Sequence, residues 1–259
     1  MDRYWVLLVP LLVVLGIAVA FTALPSSNLD DDQVLHFDFD QNVGAEDHVT
    51  DVSGERNHGS IVAESDQQPN VTDGAMHFGE GSPHARVDLE DQPLEGEFTL
   101  VVEVRNQVQE YHAGVVSTDR WRLTAPYDRY GFYTTDGGID SSNYDEQDWS
   151  HLIVVHRDGQ FELYMNGESA GDLDVSDENV SADTIYIGQR PNGYPLEGEI
   201  AAVQIYDRAV SPEEVTALYV GRAWLHPVFF STEFRTTAAI TVALLALGAA
   251  RIEVTRTDG

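Results

Sequence analysis

The chain of 259 residues carries 44 Asp and Glu against 14 Arg, with no Lys and no Cys, for a formal charge of −30. Such a chain repels phosphate backbones, which argues against nucleic-acid binding, and the lack of Cys removes disulfide scaffolds, thiolate zinc sites and cysteine nucleophiles. At 42% hydrophobic and 10% aromatic residues it is too apolar to stay disordered and long enough to bury a sizeable core. Carboxylates spread evenly through residues 28–219, with Arg in place of Lys, fit a halophile protein working in molar salt. There the Debye length is about 3 Å and self-repulsion is screened.

In chain order, residues 1–27 form the first segment. Tyr4 to Leu24 is an uninterrupted uncharged apolar run, enough to cross a hydrocarbon core of about 30 Å at ~1.5 Å per residue. It reads as a signal-anchor, with Ala18-Val19-Ala20 as the alternative cleavage site. Either reading places the next domain, residues 28–222, outside the cell.

That domain shows short strands and turn signals. Val34 to Asp40 alternates with period two, putting Phe37 and Phe39 on one face and His36, Asp38 and Asp40 on the other. Strands are predicted at 98–104, 152–156, 161–165, 184–188 and 200–206. Asp158-Gly159 and Asn166-Gly167 provide hairpin turns. Evenly spaced strands with no intervening helices predict an all-β, antiparallel two-sheet sandwich of jelly-roll type. One helix is marked by Ser211-Pro212-Glu213-Glu214: an N-cap, Pro at the first helical position and Glu three residues after the cap. Residues 223–259 close the chain. Thr236 to Ala250 is a second apolar stretch, preceded by an interfacial belt of Trp224, Phe229 and Phe230, and reads as a second membrane helix.

The order of motifs resembles laminin-G-like, concanavalin A-like jelly-roll domains. It begins with Leu35-His36-Phe37-Asp38-Phe39-Asp40 and Asp51-Val52-Ser53-Gly54. Ala75-Met76-His77-Phe78-Gly79 and Trp149-Ser150-His151-Leu152 follow. It ends with Leu163-Tyr164-Met165-Asn166-Gly167, Ile185-Tyr186-Ile187-Gly188 and the stretch from Gly198 to Ser211. The resemblance implies a domain for extracellular glycan or protein recognition, often with a structural calcium. Fold alone does not fix function, since the family also has catalytic relatives.

Among chemical motifs, Gly167-Glu168-Ser169-Ala170-Gly171 has the nucleophile-elbow spacing but lacks the strand-turn-helix context that exposes the serine. Glu95-Gly96-Glu97 and Glu197-Gly198-Glu199 each place two carboxylates on one strand face, yet the Glu-x-Asp-x-Glu string of the glucanase relatives is missing. The expectation is a non-enzymatic domain. For calcium, the resemblance points to the Asp51–Gly59 turn with Asp51 and Asn57 as oxygen donors; the other reading is that both cap a turn. Ala201-Ala202 stands where the family commonly has an acidic residue, so one expected ligand is missing.

Sugar binding needs aromatic platforms beside polar groups. Arg120, Trp121, Tyr127, Arg129, Tyr130, Tyr133 and Tyr144 crowd together and form the expected ligand-binding set. Alternate aromatics of each strand must enter the core, and Trp149 is expected there. The function read from the sequence is recognition of a polysaccharide or glycoprotein at the cell surface. The alternatives are an assembly subunit with a membrane protein partner and a divergent glycoside hydrolase.

Overall fold

The computed structural model describes residues 29–229 apart from 40–47, 64–69, 80, 82, 90–92, 108–112, 145–147 and 176–179. The expected membrane segments at 4–24 and 236–250, and Asp40 of the first strand, lie outside the described residues. Among the described residues no helix is long and apolar enough to cross a membrane. The chain divides into two compact units, residues 1–215 and 216–259, and every described strand belongs to the first.

The first half of that unit holds β1 (Gln33–Asp38), β2 (His48–Val49), β3 (Gly59–Val62), β4 (Asn70–Thr72), β5 (Ala75–Phe78), β6 (His84–Asp88), β7 (Phe98–Asn106) and β8 (Ala113–Ser117). The second half holds β9 (Arg122–Ala125), β10 (Arg129–Tyr133), β11 (Gly138–Asn143), β12 (Ser150–Arg157), β13 (Gln160–Met165), β14 (Glu168–Asp174), β15 (Thr184–Ile187) and β16 (Gly198–Tyr206). They form two sheets. The first has the order β14-β13-β12-β7-β16-β5-β4, with β1 also paired to β16; the second has the order β11-β10-β9-β8-β15-β6-β3-β2. The pairings are antiparallel, as the even strand spacing requires.

Local signals and observed elements agree closely. Leu35, Phe37 and Phe39 are buried on one face of β1, as period two dictates. The turns between β12 and β13 and between β13 and β14 both have two successive positive φ angles, 50° and 77° at Asp158-Gly159 and 53° and 80° at Asn166-Gly167. That is the mirror-image turn whose twist matches antiparallel strands, and Asx-Gly is the dipeptide that tolerates it. Of the Gly-x-Ser-x-Gly string, Gly167 lies in the turn and Glu168 to Gly171 lie in β14, so Ser169 sits on a strand and not on an elbow.

The core lies between the sheets. An aromatic cluster crosses the gap: Phe98 of β7 stacks on Trp121 at 5.7 Å, Trp121 contacts Phe132 of β10 at 5.8 Å, and Phe132 meets Phe161 of β13 at 4.4 Å. Each of these rings is at most 1% exposed.

The chain ends of the sandwich meet. β1 runs along β16 from Gln33↔Tyr206 to Asp38↔Ala202. β16 changes partner from β5 to β1 at the irregularity between Ile200 and Ala202, where Phe39 N–H donates to Ala201 O at 3.0 Å. Beyond β16, the Arg208 guanidinium holds Asp32 at 2.8 Å and both oxygens of Glu214 at 2.9 and 2.7 Å. Ser211 and Glu214 exchange the reciprocal capping-box bonds predicted for the start of α1 (Pro212–Phe229): Ser211 N–H donates to Glu214 Oε2 at 2.8 Å, and Glu214 N–H donates to Ser211 Oγ at 3.3 Å.

Truncating a ring of the aromatic cluster removes both transfer free energy and packing. Phe161→Ala is expected to lower the unfolding free energy by about 3–5 kcal/mol, read from denaturant or thermal unfolding against the parent chain.

Candidate ligand-binding face

The outer face of β8, β9, β10 and β11 carries the functional candidates. Between β8 and β9 the chain turns through Thr118-Asp119-Arg120-Trp121. The Thr118 hydroxyl organises this turn: it accepts the N–H groups of Arg120 and Trp121, each at 3.0 Å, while Thr118 N–H donates to Trp121 O at 2.8 Å. The turn sends Arg120 outward and Trp121 inward, where its indole N–H donates to Val180 O at 3.1 Å.

Trp121 and Tyr130 were expected to contact ligand. Both are core residues, 1% and 0% exposed, and cannot serve as surface platforms. Register is the reason. Tyr130 and Phe132 occupy alternate inward positions of β10, which leaves Gly131 and Tyr133 facing out. Tyr144 is half-buried. Its ring packs on Tyr130 at 4.6 Å and its hydroxyl donates to Tyr127 O at 2.7 Å while accepting from Asn106 Nδ2, so it supports the face rather than presenting itself. Trp149, expected in the core, is instead half-buried, with the Arg105 guanidinium 4.9 Å from its ring centroid.

Four expected residues do face outward: Arg120, Tyr127, Arg129 and Tyr133. A continuous row links the last two. Arg122 lies over the Tyr133 ring at 5.3 Å, the Tyr133 hydroxyl donates to Asp140, and Arg129 Nη1 lies 3.9 Å from the same carboxylate. Tyr133 lies flat on the sheet because β10 and β11 place glycines beneath it. A Cβ at Gly131 would sit 2.5–2.7 Å from that ring, and one at Gly138 as close as 2.2 Å. Burial first, then the neighbouring Asp140 carboxylate, push the Tyr133 phenol well above its ordinary value. It therefore stays a neutral donor through physiological pH.

The residues missed by sequence reasoning come from the loop after β15. Gly188 N–H donates to Val115 O at 2.8 Å and Gly114 N–H to Tyr194 O at 3.0 Å, which docks the loop on β8. A side chain at position 114 would meet the backbone of Gln189 and Arg190 at 2.6–2.7 Å, so Gly114 is what lets the loop approach. The loop presents Arg190 stacked over Tyr194 at 4.8 Å. Among the described residues, the large hydrophobic side chains left exposed are Val52, Tyr127 and Tyr194, the two tyrosines being 50% and 51% accessible. Both tyrosines also hold positive φ, 56° and 68°, a costly backbone state for such residues. The one sequence signal for this loop was Arg190-Pro191-Asn192-Gly193-Tyr194, a turn bracketed by a cation and a ring in a chain poor in cations.

A cavity of about 290 Å³ opens between the 118–121 turn and the 190–192 loop, with Thr135 from the β10–β11 turn. Arg120, Arg122 and Arg190 line it together with Asn192, against the single carboxylate of Asp119.

The Asp51 turn is built differently from an ion cage. Asp51 Oδ1 accepts the N–H groups of His36 at 2.8 Å and Ser53 at 3.0 Å, and Oδ2 accepts the Ser53 hydroxyl at 2.7 Å and Asn57 N–H at 3.0 Å. Asn57 spends its side-chain amide on Val34 O at 2.8 Å. Both carboxylate oxygens thus hold the turn, and among the described residues no three His, Asp or Glu converge as a metal-holding group. The loop as folded does not fit a calcium ion, and the capping reading accounts for each contact. Glu199, the last carboxylate of the second Glu-Gly-Glu string, is 4% exposed and bound by Arg105, by Gln107 Nε2 at 2.6 Å and by His77 at 3.3 Å.

Two measurements follow from these contacts. Asp51→Ala strands buried donors and is expected to cost at least about 1–3 kcal/mol of stability, while chelation should leave the Tm of the parent chain unchanged; a lower Tm on chelation would show that the loop does hold an ion. Asp140→Asn removes the charge facing Tyr133, so the ionisation of that phenol should move down toward the ordinary value of about 10, read by ultraviolet titration against Tyr133→Phe.

Comparison with solved structures returns the same fold. The receptor-binding domain of a botulinum neurotoxin C/D mosaic serotype superposes with a TM-score of 0.60 at 15% identity, over 74% of this chain and 52% of that one. A botulinum neurotoxin type C structure, whose cell uptake is described as dependent on two ganglioside molecules, gives 0.57 at 14% identity over 75% and 52%. The botulinum neurotoxin DC binding domain in complex with rat synaptotagmin II gives 0.57 at 13% over 74% and 52%. The chain spans about half the length of these structures. No curated protein sequence matches it. Residues 64–216, more than half of the chain, match the Laminin_G_3 family model, and the chain therefore belongs to the concanavalin A-like lectin/glucanases superfamily.

Proposed function

We propose that this protein is a non-catalytic recognition domain that binds a polysaccharide or glycoprotein outside the cell, held at the surface by its apolar segments at 4–24 and 236–250. The observation that carries the reading is the outer face of the second sheet. Tyr127 and Tyr194 are exposed at a cost in backbone strain, and the row Arg122–Tyr133–Asp140–Arg129 offers rings, donors and acceptors on one surface. Sugars are recognised by this combination of an apolar ring face with a few oriented polar groups. The neurotoxin structures with the same fold include a binding domain in complex with a sialyl sugar and another with a protein receptor, which supports glycan and glycoprotein ligands alike. The non-catalytic part of the reading is supported by Glu199, which is engaged by Arg105, Gln107 and His77 rather than poised as an acid or base.

The test is binding of the full-length chain, in molar salt, to a panel of neutral and acidic polysaccharides and glycoproteins. Saturable binding is expected, with Tyr127→Ala and Arg129→Ala each weakening it roughly tenfold or more, as loss of a ring contact or a charge-assisted bond of about 1.5–3 kcal/mol implies. Absence of binding across the panel by a chain shown to be folded would overturn the reading, and a sugar product released during incubation would overturn its non-catalytic part.

A further inference from the structure

Resting on the extracellular part of that reading, we infer that Asn70 is a modification site, its side-chain amide taking an N-linked saccharide from a lipid-phosphate carrier. Asn70-Val71-Thr72 has the Asn-x-Ser/Thr acceptor pattern, with a residue other than Pro in the middle. Such triplets arise by chance, so the placement in the fold decides.

That placement suits an acceptor. β4 is three residues long and ends its sheet; among the described residues β5 is its one pairing partner. A strand turns successive side chains to opposite faces. Val71 is half-buried and packs against the core, so Asn70 and Thr72 stand together on the outer face, and both are exposed. Asp73 and Gly74, with φ of 53° and 81°, then fold the chain back into β5 through the mirror-image turn. The acceptor therefore adjoins a hairpin tip at a sheet edge, where no further described strand crowds an approaching transferase. Its two functional groups are also aligned. Asn70 lies opposite His77 in the register, and Thr72 Oγ1 lies 2.5 Å from His77 Nε2, which keeps the hydroxyl on the side that Asn70 occupies.

Other asparagine side chains are spent on the fold. Asn57 donates to Val34 O at 2.8 Å, Asn106 to the Tyr144 hydroxyl and Asn143 to Asp128 at 2.7 Å, while Asn166 Oδ1 accepts His151 N–H at 2.9 Å. Asn70 makes no such bond to a described residue. It also belongs to the first sheet, whereas Tyr127, Arg129 and Tyr133 lie on the second, so a saccharide on Asn70 leaves the candidate binding face open.

The transfer forms a bond from Asn70 Nδ2 to the anomeric carbon of the saccharide. The bond from that carbon to the phosphate oxygen of the lipid carrier breaks, and the lipid phosphate leaves with the electron pair. Nδ2 gives up one proton to solvent, and no group is oxidised or reduced.

The experiment produces the full-length chain in a halophilic host that glycosylates its own surface proteins at asparagine, and in the same host without its oligosaccharyltransferase. Cleavage after Arg56 and Arg86 releases a peptide, residues 57–86, in which Asn70 is the one Asn-x-Ser/Thr asparagine; Asn179, of the second such string, falls on the separate peptide 158–190. Mass spectrometry should find a saccharide on peptide 57–86, localised to Asn70 by fragmentation and lost without the transferase. Asn70→Gln and Thr72→Ala should each abolish it, and Thr72→Ser should retain it. Asn70→Gln changes an exposed side chain and should leave Tm in place, which separates lost modification from lost fold. An unmodified peptide 57–86 from a chain that antibodies reach on intact cells overturns the site while the recognition reading stands. An unmodified peptide from a chain that antibodies reach only after lysis overturns the extracellular location, and both readings with it. A saccharide on this peptide that survives Asn70→Gln is attached elsewhere and overturns the assignment.

Discussion

The bridge of rings between the sheets is the contact from which the rest of the molecule takes its position. Phe98 and Phe161 belong to one sheet, Phe132 to the other, and Trp121 enters from the turn that joins β8 to β9. Because Trp121 is locked inward, its neighbours Arg120 and Arg122 are placed outward on either side of it. Arg120 and Arg122 therefore owe their direction to a buried indole. Large rings suit this task because each carries a large apolar area and loses little rotamer freedom on burial.

Charge is handled by a second rule. A chain with so many carboxylates and so few cations cannot neutralise its surface, and its arginines are used in two distinct ways. Arg105 and Arg208 each knit parts of the fold that are distant in sequence: Arg105 bonds Glu199, and Arg208 ties Asp32, before the first strand, to Glu214, after the last. Arg122 and Arg190 are instead braced by tyrosine rings at the rim of a cavity. The first use satisfies Glu199 and Glu214, buried acids that are expensive to leave unpaired. The second fixes the planes of two guanidinium groups against tyrosine rings.

Much of this was legible in the sequence. Period-two alternation located β1, because a half-buried strand must alternate, while β7, β12 and β16 showed as apolar runs and are buried along almost their whole length. The Asx-Gly pairs located two hairpin turns, because their backbone requirement is local. Ser211 and Glu214 announced the helix start for the same reason. The binding face was only partly legible. Its stretch stood out by composition, but which members point outward depends on pairing between strands: Tyr130 and Tyr133 look alike in the sequence and are separated by the register of β10 against β9 and β11. Trp149, which precedes β12, was misplaced as well: Arg105 of β7 lies over its half-buried ring. Arg190 escaped notice because nothing local links it to Arg122; the pairing of β15 with β8, far apart in the chain, brings them to one cavity.

The meeting of β1 with β16 has a mechanical consequence. Gln33 lies opposite Tyr206, so both ends of the sandwich leave from the same place on the same pair of antiparallel strands. A pull applied through the two ends loads this pair in the peeling direction, where ladder bonds break one after another instead of together. The Arg208 clamp on Asp32 and Glu214 lies just outside that first pair and takes the load before any ladder bond does. A domain tethered through both ends would yield there first, shedding β1 while the ring bridge and the arginine cavity, built from other strands, kept their shape.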